Sequence, residues 1–217
     1  MKKLKMRVEN MATTQLHNLV TVCPAKNILV KQITYTQHVI PITGPIGEID
    51  EYGELTQILA NATPKDEIYI QLSSSGGSLE TCDYLCRRMD ECTAHIVVEI
   101  GLTCVGVACA IPFHADDWVI RNSSTMIISP LSYSPGYGKE SDVREHAKYM
   151  KNVHEKWVER TFEGVLSEDE KHDLLENGKH LDFYADDLHS CLDAYQEHRN
   201  KRKLNDYPIQ IPSDTTK

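Results

Sequence analysis

Glu67-Ile68-Tyr69-Ile70-Gln71-Leu72 runs directly into Ser73-Ser74-Ser75-Gly76-Gly77-Ser78, and the reading of this stretch decides the fold. Its first six residues are rich in β-branched and aromatic side chains and read as a strand. Two consecutive glycines then offer backbone conformations that other residues reach only under strain, at the place where a tight turn is needed. The pattern from Ser78 to Met89 is helical, its start marked by Ser75-Gly76-Gly77-Ser78. Strand, glycine turn and helix together form one half of a βαβ unit.

The neighbouring segments repeat the theme. Val39-Ile40-Pro41-Ile42 reads as a short strand closed by Thr43-Gly44-Pro45, and Glu51–Ala60 as a helix with Tyr52, Leu55, Ile58 and Leu59 on one side. His95–Ile100 is a second strand, followed by a small-residue helix expected from about Cys104. Asp117–Arg121 and Thr125–Ile128 close the strand set. Alternating strands and helices imply a largely parallel α/β sheet. Beyond Pro130 a loose segment, Leu131–Gly138, leads to a long helix over Glu140–Phe162. On it Val143, Ala147, Met150, His154, Trp157 and Thr161 recur at four- and three-residue steps, a narrow seam suited to a partner helix. Ser167-Glu168-Asp169-Glu170 is a capping box, His180–Phe183 a last strand and Ala185–Glu197 a last helix; the tail from Asn200 is expected to be disordered.

Composition narrows the function classes. The chain has 217 residues, a hydrophobic fraction of 41% and a net charge of −9. That length suits one domain, here residues 37–199, between a divergent N-terminal segment (1–36) and a polar tail (200–217). The acidic balance argues against nucleic acid and anionic membranes as partners. No segment is long and apolar enough to span a bilayer, and Met1-Lys2-Lys3-Leu4-Lys5 lacks the apolar run of a signal peptide, so a cytoplasmic protein is expected. Seven cysteines without regular spacing describe neither a disulfide framework nor a zinc site. Cys82 and Cys86 share a helix face without a second ligand pair. Asp116-Asp117 with His114 reads as a solvated turn. No metal or cofactor is expected.

The strand and glycine turn, Asn122-Ser123 through Met126-Ile127, Pro130-Leu131, the helix start Glu140-Ser141-Asp142-Val143 and Tyr184-Ala185-Asp186-Asp187 follow one another collinearly. Together they resemble the proteolytic subunit of the Clp protease. The resemblance implies a ClpP/crotonase-like spiral of ββα units with a projecting handle helix (about 130–162), stacked homo-oligomeric rings, and an AAA+ unfoldase or ClpP-like subunits as partners. It also implies three catalytic positions, and this chain departs from the family at each. The nucleophile position carries Cys104, in Cys104-Val105-Gly106, or Thr103 if the chain is counted without a gap. The histidine position is Ile128 and the aspartate position His180. Gly76, Gly77 and Val105 occupy oxyanion-hole positions. On the strand before the turn, Tyr69 keeps the first tyrosine of the family's ATPase-docking cleft and Gln71 replaces the second.

Three readings stay open. A subunit without a base is catalytically deficient, because base assistance is worth about 10²–10⁴-fold. A rewired cysteine peptidase would use Cys104 as nucleophile and His180, reaching over Ile128, as base, helped by a helix N-terminus that lowers the thiol pKa. Thioester chemistry of the crotonase kind finds no coenzyme A site in the sequence.

Overall fold

The computed structural model describes residues 35–134 and 137–206, with side chains to residue 200. The segment 1–34 and the polar end from 207 lie outside the described residues. Six strands form one sheet: β1 (Gln37–Thr43), β2 (Glu67–Ser74), β3 (His95–Val105), β4 (Asp117–Ile120), β5 (Thr125–Ile128) and β6 (Leu181–Tyr184). They run β1-β2-β3-β5-β6, with β4 also on β3, and every pairing is parallel except β5 with β6. Helices α1 (Gly53–Asn61) and α2 (Leu79–Glu91) follow β1 and β2, and a 3-10 run, Gly106–His114, follows β3. Helices α3 (Glu140–Thr161), α4 (Glu168–Leu175) and α5 (Ala185–Asp206) complete the chain. This mixed architecture is the ClpP/crotonase-like fold that the resemblance implies.

Alternation on β2 shows how the sequence chooses its faces. Ile68, Ile70, Leu72 and Ser74 are buried, whereas Tyr69, Gln71 and Ser73 point the other way. Each fully buried Ile or Leu contributes about 1.5–3 kcal/mol, which offsets the roughly 1–2 kcal/mol lost in fixing each backbone residue. Ser78 caps α2 through its side chain, which accepts from Thr81 N–H at 3.3 Å, and Cys82, Leu85, Cys86 and Met89 form the buried stripe of that helix. The expected capping box opens α4: Ser167 Oγ accepts from Glu170 N–H, and Glu170 accepts in return from Ser167 N–H.

Three expectations are corrected. The strand read as His95–Ile100 continues to Val105, so Cys104 lies inside β3 and the helical run starts two residues later as 3-10 turns. Hydrophobic alternation breaks at Gly101-Leu102-Thr103, where β3 leaves its register with β2 and resumes at Ser74↔Cys104; that break hides the strand's second half from a reading by period. The last helix runs on through Asn200 to Asp206 rather than ending at Glu197. The final strand begins at Leu181, leaving His180 ahead of it. Among the described residues no helix is long and apolar enough to cross a membrane.

The glycine turn is the tightest place in the fold. Gly77 has φ +141, and a β-carbon there would sit 2.2 Å from the Ile46 carbonyl oxygen. Ile46 N–H donates to Gly76 O at 2.7 Å and Ser78 N–H to Ile46 O at 2.8 Å, so the turn is clamped by backbone on both sides. Gly77→Ala therefore costs at least the roughly 1–3 kcal/mol of a strained backbone and lowers the melting temperature by several degrees in calorimetry. Gly44→Ala, with φ +79 but nothing within 4 Å of the new carbon, is the milder control.

Candidate functional site

Gly76 and Val105, two of the positions that the resemblance gives to an oxyanion hole, are neighbours, and it is the Val105 carbonyl that faces Gly76. A β-carbon on Gly76 would meet Val105 O at 2.9 Å and Gly106 Cα at 3.7 Å, so the first glycine turn lies directly against the end of β3. Gly76 N–H, however, donates to Ser74 Oγ at 3.2 Å. Of the two turn glycines, Gly77 is then the one whose amide has no hydrogen-bond partner among the described residues. Ser74, buried at the end of the inward series of β2, organises this turn, and the sequence reading passes over it. Its signal is a polar residue at an inward position of a period-two strand. Ser129 is a second residue missed: its Oγ lies 3.4 Å from where a β-carbon on Gly106 would stand.

Cys104 sits between Ser74 on β2 and Met126 on β5 and is 0% exposed. Cross-strand partners share a face, so its thiol belongs to the core side with these buried side chains. Cys109, on the 3-10 run, donates to Cys104 O and to Ile127 O at 3.3 Å each. Burial first, and then the adjoining Cys104, pushes the Cys109 thiol well above its ordinary range. Cys82 donates to Val107 O at 3.0 Å, and hydrogen bonding to Cys82, with burial, raises Cys86 likewise. Cys104 therefore lies among neutral, dry thiols. The helix N-terminus expected at Cys104 is not there either, since the residue is extended strand. Thr103 is the neighbouring β3 residue and half-exposed.

Ile128 is 0% exposed and pairs with Leu181 across the antiparallel β5–β6 ladder. It is filled core at the histidine position. His180 stands one residue ahead of β6, exposed, outside the row that Ile128 and Leu181 form. The three family positions are thus occupied by a buried thiol, a buried aliphatic and a solvated imidazole. Among the described residues no three of His, Cys, Asp and Glu gather as metal ligands.

On the outward face of the sheet Tyr69 Oη donates to Glu99 Oε2 at 2.8 Å, Gln71 Nε2 to the same oxygen at 3.5 Å, and Arg121 Nε to Glu99 Oε1. Arg121 is the main reason that the Glu99 carboxyl is held below its usual range, and burial first, then Glu99, raises the Tyr69 phenol. Where the family resemblance implies an apolar docking cleft, this chain carries a paired charge.

The family profile of the Clp protease matches residues 26–172, about two thirds of the chain. The chain belongs to the Clp protease family. No curated protein matches it. Both Cys104 and Ile128 lie in the hydrophobic core of this chain. Ile128→His consequently buries an imidazole rather than creating a base. It is expected to cost about 1–3 kcal/mol in urea unfolding without introducing hydrolysis of a fluorogenic peptide.

The seam of α3 divides in two. Trp157, Val158 and Thr161 are buried in the chain's own body, with Trp157 edge-on to Phe162 at 5.4 Å, Phe162 edge-on to Phe113 at 5.4 Å, and Phe113 edge-on to Tyr195 at 4.8 Å. Trp157 is accordingly a core anchor in this structure, unlike the partner contact that its place in the seam suggests. Val143, Ala147, Met150 and His154 remain half-exposed nearer the start of the helix.

Proposed function

We propose that this Clp-family chain is a catalytically deficient, ring-forming subunit that acts in the cytoplasm as a scaffold or regulatory member of a peptidase assembly. The observation that carries this reading is the burial of Cys104 and Ile128: both catalytic-position side chains are part of the hydrophobic core. A nucleophile needs access to a carbonyl carbon and a base within about 3 Å, and neither is offered at Cys104. Assembly rests on the half-exposed part of the α3 seam, Val143, Ala147, Met150 and His154. Such a subunit would join its own copies or related catalytic subunits. Its charge-paired outer sheet face makes an apolar unfoldase contact a poor fit.

The second reading, a cysteine peptidase with Cys104 as nucleophile, His180 as base and the amides of Gly76 or Gly77 and Val105 as oxyanion hole, requires β3 and β6 to rearrange. What favours it is the retention of the glycine turn against Val105.

Iodoacetamide labelling followed by peptide mass spectrometry separates the two. The expected outcome is that Cys104 labels only after denaturation, at the same rate in His180→Ala, with no hydrolysis of fluorogenic peptides. Fast native labelling with a pKa below that of a free thiol, abolished in His180→Ala, would establish the peptidase instead. Val143→Glu with Met150→Glu is expected to reduce the particle mass in size-exclusion chromatography with light scattering while leaving the fold intact. An unchanged mass removes α3 from the interface.

A further inference from the structure

His154 is the one seam residue whose chemistry the packing leaves unanswered. Its Nε2 is closed off from solvent, and among the described residues it has no hydrogen-bond partner. Buried polar atoms are nearly always paired, so an orphaned ring nitrogen calls for an explanation. The ring stacks on Trp157, with centroids 6.4 Å apart and planes 28° from parallel. It is thereby the outermost member of a continuous row of rings, His154, Trp157, Phe162, Phe113 and Tyr195, that fastens α3 to the body and to α5. Towards the helix start, α3 touches its surroundings through an edge-on contact of His146 with Tyr133, centroids 6.0 Å apart, and an exposed pair, Lys151 Nζ to Glu176 Oε1 of α4 at 2.9 Å. Exposed pairs of that kind are worth little, about 0–1 kcal/mol.

From this geometry we propose that His154 is a pH-sensitive pin at the joint of the α3 handle: the neutral ring keeps the handle docked, and its protonation releases the helix upstream of Trp157. The second half of the idea rests on the assembly reading above, because the released part carries Val143 and Met150, and subunit association would loosen with it.

The electrostatics around the ring support this direction. Burial lowers the His154 pKa from its ordinary value of 6.5, and Glu155 opposes that shift without cancelling it. Among the described residues Glu155 is the one charged group that bears on the ring. Lys151, one turn earlier, is occupied by Glu176 of α4 and lies 3.7 Å from Glu155, and the ring-row neighbours Trp157 and Phe162 carry no charge. A folded-state pKa below the unfolded one means that the unfolded or undocked helix takes up the proton first. Docking is therefore complete above pH 6.5 and weakens as the pH falls through that value, until the docked ring itself is protonated. Each unit of depression corresponds to a tenfold change in the docking equilibrium.

Hydrogen exchange of the α3 backbone, corrected for intrinsic pH dependence, is measured at pH 7.5 and 5.5 in the wild type, His154→Leu and His154→Gln, with light scattering at both pH values. The expected result is a protection loss of about tenfold per unit of pKa depression in α3 at pH 5.5. That loss should vanish in both variants, while α1 and α2 are unchanged. Should His154→Leu fold poorly, the polar, non-titrating His154→Gln carries the comparison. Equal α3 protection at the two pH values in the wild type, or a loss that persists in the variants, overturns the proposal. A particle that is monomeric at both pH values, with α3 protection still dependent on His154, would reject the assembly reading and leave the pin standing.

Discussion

The clamp between Gly77 and Ile46 is the constraint on which the rest of the structure depends. Two backbone hydrogen bonds join them, and the space between is too small for a single added carbon. In one place it fixes where the chain after β1 runs, where β2 ends and where α2 begins. Gly76 then sits against Val105 and Gly106, which sets the depth at which β3 terminates. An enzyme uses such an arrangement to aim amides at a reacting carbonyl. In the present chain the arrangement has a mechanical value of its own, since a tight strand-to-helix turn needs the same two glycines.

Much of this was legible in the sequence. The run Glu67–Leu72 named β2, and the turn ending at Ser78 and the capping box at Ser167 marked two helix starts within a residue. Those signals are local, and local signals survive in a single sequence. The failures have equally local causes. Gly101-Leu102-Thr103 interrupts the period of β3, so Cys104 was read as opening a helix. The last described helix, α5, lacks an apolar stripe in its last turns, and nothing in the sequence of Asn200–Asp206 distinguishes it from a solvated tail.

The site was legible in identity but not in accessibility. That Ile128 stands at the position which the resemblance gives to a histidine follows from the order of residues. That the slot is closed, with Ile128 and Cys104 on the same buried layer, depends on the pairing Cys104↔Met126 and Ile128↔Leu181, which only the assembled sheet supplies. The two residues agree physically: an aliphatic side chain and a thiol pack together in the core without needing a hydrogen-bond partner. Trp157 teaches the converse lesson. A seam at alternating four- and three-residue steps says that one side of a helix is covered, without saying whether the cover is a neighbour or the chain itself.

Cys82, Cys86, Cys104 and Cys109 lie within a short span of sequence and are all sealed in the core. In the folded chain their thiols are out of reach of any oxidant. On unfolding they become available together, close along the chain and free to pair in ways the native core cannot accommodate. Recovery from denaturation is then a race between refolding and oxidation, and its outcome is set by the reducing power of the surroundings. The molecule's resilience is in that sense a property of its environment as much as of its own free energy.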